Sequence, residues 1–237
     1  MSVRRSLVLI PGVLCDERLW QAQVEGLAPD VDAHVLQVIE EDAIAAMAES
    51  VLARAPESFA LAGFSMGGCV ALEVVAQAPH RVSSLALMST SSRGLPQHVR
   101  DHYQGVIAEL EGGQIDAYLE QAFPGYVAPC NQATPHVREL FFAMGRSLGA
   151  VVAARQMRAL LSYQGFSGDL SAIRCLTLLM AGQEDQRTPP QIHRDMAGHI
   201  PGARLAIVPS AGHFIPLEQP AVVTGHMRCW LKEGSSC

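Results

Sequence analysis

The chain is expected to fold as an α/β protein: a mostly parallel sheet of about six strands, helices on both faces, and an inserted helical cap. Three observations lead there. Short apolar runs alternate with stretches of helical spacing, as parallel strands joined by right-handed crossover helices do. The alternation pauses once, across a long stretch with helical patches and no convincing strand, and then resumes. Finally, 237 residues suit one domain with a small insertion. The expected boundaries are a core of residues 1–93 and 172–237 and a cap of residues 94–171.

Ser6–Ile10 is an apolar run stopped by Pro11–Gly12, as a buried strand entering a loop would be. Ala33–Ile39 reads as a second strand. Glu40–Arg54 has helical spacing, with Ile44, Met47, Ala48, Val51 and Leu52 on one stripe. Ser58–Gly63 is a third strand, Met66–Ala78 a small-residue helix halted before Pro79, and Val82–Ser89 a fourth strand. The cap segment carries helical patches at Val99–Leu110, Ile115–Phe123, His136–Leu148 and Val151–Tyr163. Strand Cys175–Ala181, helix Pro189–His199, strand Arg204–Pro209 and a closing helix Ala221–Lys232 follow.

Composition narrows the function classes. A hydrophobic fraction of 49% and a charged fraction of 17% fit a chain that buries a large core. The net charge of −6 gives no reason to expect nucleic acid as a partner. No Lys/Arg run reads as a membrane anchor, and no apolar stretch approaches the roughly 20 residues of a membrane span. The start, MSVRRSLVLIPGVLC, has an arginine pair and an apolar run, but Pro11–Gly12 end that run too soon for a secretion signal. The six cysteines (Cys15, Cys69, Cys130, Cys175, Cys229 and Cys237) lack CxxC or metal-ligand spacing, and a chain of this size does not need disulfides. Reduced thiols in a cytoplasmic setting, with no metal and no organic cofactor, are therefore expected.

Gly63-Phe64-Ser65-Met66-Gly67 lies where an expected strand meets an expected helix. A nucleophilic serine needs a sharp bend there to lift its hydroxyl above the sheet, and flanking glycines remove side chains that would collide. A bare Gly-rich turn with Ser65 as helix cap is the competing reading. A serine hydroxyl also needs a base, and the base needs an orienting acid. Two later loops supply them in the order serine, acid, histidine. Gly182–Pro189 follows a strand and carries Asp185, with Glu184 as its rival and a plain capping turn as the alternative. Ser210–Pro216 carries His213, the one histidine among nine that follows a glycine in a loop at the carboxyl edge of the sheet.

With these three segments in place, the chain resembles the α/β-hydrolase fold superfamily, and within it the small capped carboxylesterases and carbon–carbon hydrolases. The elbow Gly63–Gly68, the acid loop Gly182–Pro189 and the segment Gly212-His213-Phe214 with Leu217-Glu218-Gln219-Pro220 carry the resemblance over nearly the whole chain. The position of the cap is similar to that in pimeloyl-carrier-protein methyl esterase-like hydrolases. The resemblance implies Ser65, Asp185 and His213 as catalytic residues, and backbone N–H groups of Val13 and Met66 as oxyanion donors. Family members usually read His-Gly before the first donor, whereas this chain reads Pro11-Gly12. That departure leaves the backbone donor in place but removes any role for a histidine there.

The cap offers Phe123, Tyr126, Phe141, Phe142, Met144, Met157 and Tyr163, which would line an apolar substrate pocket or simply pack the cap. Arg155 and Arg158 share a helix face and could bind a carboxylate or an acidic carrier-bound acyl group, or lie solvated. The expected activity is hydrolysis of a small ester or ester-like substrate through an acyl-enzyme. Carbon–carbon cleavage, elimination or perhydrolysis by the same triad is the alternative, and a non-catalytic small-molecule receptor is a third reading.

Overall fold

The computed structural model describes residues 4–233. The first three residues of the possible targeting stretch, and Cys237, lie outside that range. One parallel sheet is built from β1 (Arg5–Ile10), β2 (Val31–Val35), β3 (Phe59–Phe64), β4 (Val82–Met88), β5 (Leu176–Gly182) and β6 (Arg204–Val208). Its order is β2-β1-β3-β4-β5-β6, with every neighbouring pair parallel. All residues of β3 are buried. Successive side chains point to opposite faces, so the centre of the sheet is covered on both.

Three helices connect the first four strands: α1 (Gln21–Leu27), α2 (Ile44–Arg54) and α3 (Met66–Gln77). The stripe expected on α2 is the one it buries, with Ile44, Met47, Ala48 and Val51 inside. The chain runs from β1 outward to β2 and then returns to place β3 on the other side of β1. This reversal opens a crevice beyond the carboxyl ends of β1 and β3, where open α/β sheets bind ligands. The loop after β1 and Ser65 after β3 both fall there.

Two elements differ from the sequence expectation. The second strand begins at Val31 and ends at Val35. Its apolar continuation, around Val38, lies beyond the sheet, where the Val38 carbonyl accepts from the Gln156 side chain at 3.1 Å. Helix α1 had no apolar stripe long enough to announce it. It is short and buries a glutamine, Gln23, beside Leu27.

Between β4 and β5 lie α4 (Gln97–Glu111), α5 (Ile115–Tyr126) and α6 (Pro135–Ser162), packed mainly on one another. The chain leaves and returns at adjacent points, closed by an antiparallel bridge between Arg93 and Gly165. The remaining helices are α7 (Pro190–His199), α8 (Ile215–Glu218) and α9 (Pro220–Glu233). The patches expected at His136–Leu148 and Val151–Tyr163 are the two limbs of α6, broken where Gly149 adopts φ 76° and ψ 176°. That region of backbone space is essentially open to glycine alone. Gly149→Ala is therefore expected to cost about 1–3 kcal/mol, read as a lower urea midpoint. An unchanged midpoint would mean the bend is not held by glycine's freedom.

Candidate active site

The bend at Ser65 is imposed by close packing. Ser65 sits at φ 54° and ψ −117°, outside the usual regions for a side-chain-bearing residue. A Cβ on Gly63 would overlap the Gly67 carbonyl, and one on Gly67 would overlap the Ile10 carbonyl. The first turn of α3 thus rests on the end of β1 with no side chain between them. Thr90 Oγ1 donates to the Ser65 carbonyl at 2.7 Å and ties the bend to the loop after β4.

His213 Nε2 lies 2.9 Å from Ser65 Oγ, and Nδ1 lies 2.9 Å from Asp185 Oδ2 and 3.1 Å from Oδ1. An ionised carboxylate only accepts, so Nδ1 carries the ring proton and Nε2 is left to accept from the serine hydroxyl. Asp185 Oδ1 also accepts from the backbone N–H of Arg187 at 2.8 Å and of Thr188 at 2.9 Å. Thr188 Oγ1 donates to Oδ2 at 2.8 Å. Burial alone would raise this carboxyl. The electrostatic pull of the His213 imidazole and these hydrogen bonds outweigh it, and Asp185 falls below the ordinary carboxylate value. Glu184, the rival in sequence, is exposed, and its backbone N–H is spent on the Ala211 carbonyl.

The loop after β1 turns tightly, with Cys15 N–H donating to the Gly12 carbonyl at 3.2 Å and Leu14 at φ 55°. Leu14 N–H is held by Gln156 Oε1 at 2.9 Å. The N–H groups of Val13 and Met66 meet no protein acceptor among the described residues, and both residues line the same cavity as Ser65.

That cavity has a volume of about 460 Å³, within the range of small-molecule sites. Tyr126 and Tyr163 line it, together with Tyr103 and Leu160. Phe123, Phe141 and Phe142 do not. They stack on one another at 5.2–5.7 Å between α5 and α6, under the guanidinium of Arg138 at 4.5 Å from the Phe142 ring. Arg155 and Arg158 are absent from the lining as well. Arg155 donates to the Ile39 carbonyl at 2.6 Å and pairs with Glu40 at 3.1 Å, and Arg158 pairs with Glu111. Their shared helix face serves to tie α6 to its neighbours.

Some positioning residues carried no sequence signal. Glu218, 8% exposed, accepts from Gly212 N–H at 3.0 Å, Ala128 N–H at 2.9 Å and Asn131 Nδ2 at 2.9 Å. His213 N–H donates to the Tyr126 carbonyl at 2.7 Å. The segment after α5 therefore clamps the histidine loop. In the sequence Glu218 stands out only as part of the segment Leu217-Glu218-Gln219-Pro220. Gln156, in the middle of α6, could not be told from any helical glutamine.

A parallel sheet with a left-handed serine bend at its switch point, its serine hydrogen-bonded to a histidine that is in turn bonded to an aspartate, is the arrangement of a hydrolase. The family model described as "Alpha/beta hydrolase family" matches residues 7–225, and the chain belongs to that family. A Klebsiella pneumoniae protein named for carbamate hydrolysis is 29% identical, over 65% of this chain and 59% of its own length. A pimeloyl-[acyl-carrier protein] methyl ester esterase of Nitrosomonas europaea is 25% identical over 87% of this chain and 88% of its own. Among solved structures, a thermophilic esterase from Thermogutta terrifontis superposes with a TM-score of 0.86 at 25% identity, covering 97% of this chain and 90% of the esterase.

His193, fully buried on α7, accepts from Thr90 N–H through Nε2 at 3.1 Å. Burial pushes it from 6.5 down to about 4, against the opposing pull of Asp185. Between those values the unfolded chain binds a proton that the folded chain refuses. Stability should then fall as pH drops through that window, by up to about 3 kcal/mol. His193→Gln, which keeps an acceptor for Thr90, is expected to flatten this slope in urea midpoints measured across the window. A slope as steep as the parent's would assign the proton uptake elsewhere.

Proposed function

We propose that the chain is a serine hydrolase of small esters or ester-like carbonyl compounds, working through an acyl-enzyme. The observation that carries this reading is the continuous Ser65–His213–Asp185 hydrogen-bond chain, whose serine and histidine line the cavity. Ser65 Oγ attacks the carbonyl carbon while its proton passes to His213 Nε2. The oxyanion is met by the N–H groups of Val13 and Met66, of which each such donor is typically worth about 2.7–4 kcal/mol. His213 then gives its proton to the leaving oxygen, the carbon–oxygen bond breaks, and the acyl group stays on Ser65. Water attacks this ester, its proton goes to His213 and returns to Ser65 Oγ as the acid departs. Asp185 holds the imidazole in its tautomer and stabilises the imidazolium.

Helices α4, α5 and α6 act in this reading as a cap over the site, with residues 1–93 and 172–237 as the core. Similarity to a protein named for carbamate hydrolysis and to a carrier-bound methyl ester esterase supports a substrate of the ester or carbamate type. No helix among the described residues is long and apolar enough to cross a membrane. A cytoplasmic setting stays part of the proposal, supported by five free described cysteines.

The test is turnover of p-nitrophenyl esters of graded chain length, beside fluorophosphonate labelling. The parent is expected to label and turn over. Ser65→Ala should lose the label and about four to six orders of magnitude in kcat, and Asp185→Asn about four. Labelling without ester turnover would move the chemistry to carbon–carbon cleavage, elimination or perhydrolysis at the same serine. A folded parent that does neither would sink the active-serine reading and leave a ligand receptor.

A further inference from the structure

We propose that Arg187 is the specificity residue of this site, and that the substrate is an ester carrying a carboxylate a short spacer away from its carbonyl. This rests on Ser65 being the nucleophile. Arg187 lies two residues beyond Asp185, and its root is fixed by its own N–H on the Asp185 carboxylate at 2.8 Å. The guanidinium is half-buried in the cavity wall, with Nη2 donating to the Tyr103 hydroxyl at 3.2 Å and Cζ 4.7 Å from the Tyr126 ring centre. No Asp or Glu comes within ion-pair distance of it among the described residues.

Its neighbours on the cap side behave differently. Arg93, Arg138, Arg146, Arg155 and Arg158 each meet a carboxylate. Burial pushes the phenols of Tyr103 and Tyr126 up, so they stay neutral and leave the Arg187 charge uncompensated. A guanidinium presents five donors, and one phenol oxygen satisfies only one of them. A partly desolvated, unpaired cation is costly, and a bound carboxylate relieves that cost with charge-assisted hydrogen bonds.

The rest of the cavity lining brings no carboxylate to offset this charge. The chain carries 23 acidic against 17 basic residues. Yet the lining holds no Asp or Glu, and its other arginine, Arg93, is paired with Asp195. Low-dielectric walls focus such a field on an entering anion. The Tyr126 ring lies 5.4 Å from the His213 ring and 4.7 Å from the Arg187 guanidinium carbon, so both groups pack on the same aromatic side chain. An anion on Arg187 and a carbonyl at Ser65 would then be held by groups that share one neighbour in one cavity, which calls for a short dicarboxylic half-ester or a relative of one.

The experiment compares monomethyl succinate, glutarate and adipate with their dimethyl esters and with length-matched methyl esters of monoacids. Methanol release is followed for the parent, Arg187→Gln and Arg187→Lys, beside fluorophosphonate labelling of each. The parent is expected to favour its best half-ester over the neutral match by about ten- to a hundredfold in kcat/KM. Arg187→Gln should collapse that ratio toward unity, chiefly through KM, and Arg187→Lys should keep part of it. A parent that labels at Ser65 yet treats acidic and neutral esters alike would overturn the proposal and leave the nucleophile standing. A loss in Arg187→Gln shared equally by both ester types would overturn it too, as a structural effect. Calorimetric binding of monomethyl glutarate to Ser65→Ala, with and without Arg187→Gln, decides the matter without turnover. A roughly tenfold weakening supports the carboxylate site, and equal affinity refutes it.

Discussion

The site depends on how closely the first turn of α3 approaches the end of β1. Gly67 rests against the carbonyls of Ile10 and Pro11, and Gly63 against the backbone of Gly67, with no room for a Cβ at either place. This contact bends the chain at Ser65 into a backbone conformation that costs on the order of 1–3 kcal/mol. The buried centre of the sheet holds the bend, since all of β3 and most of β1 lie inside the core. The same contact brings the loop after β1 beside the serine, so Val13 and Met66 line one cavity with Ser65.

A second constraint runs through the histidine loop. Its backbone is held from α5 by the Tyr126 carbonyl and from α8 by the Glu218 carboxylate. That carboxylate reaches across to Ala128 and Asn131, so the insertion between β4 and β5 helps to hold His213 in register with the sheet. Gln156 does the same for the loop after β1, accepting from Leu14 and donating to Val38. The inserted helices therefore do two jobs: they wall the cavity and they brace both loops that face Ser65.

Electrostatics divides the arginines of this region into two groups. Arg138, Arg146 and Arg158 on α6 pair with acids on α4 and α5, where exposed pairs add about a kcal/mol at most. Arg187 faces inward, against tyrosines instead of carboxylates. Its inward position follows from the acid loop, whose backbone must fold around Asp185 to supply two N–H donors to it.

The strand and helix alternation, the helical insertion, and the serine, acid and histidine loops could all be read in order from the sequence, because each is local. An apolar run, a glycine pair around a serine, or a loop after a strand shows itself within ten residues or so. What separates Asp185 from Glu184 could not be read that way. Asp185 is buried against His213, distant in the chain, while Glu184 is exposed. The surroundings of Phe123, Phe141, Phe142, Arg155 and Arg158 could not be read for the same reason. Helical periodicity says which residues share a face, and only the packing of α6 against α5 and the loop after β2 says what that face meets. Glu218, Gln156 and Arg187 join the site through partners distant in the chain or through an absence of partners, and both are properties of the folded molecule alone.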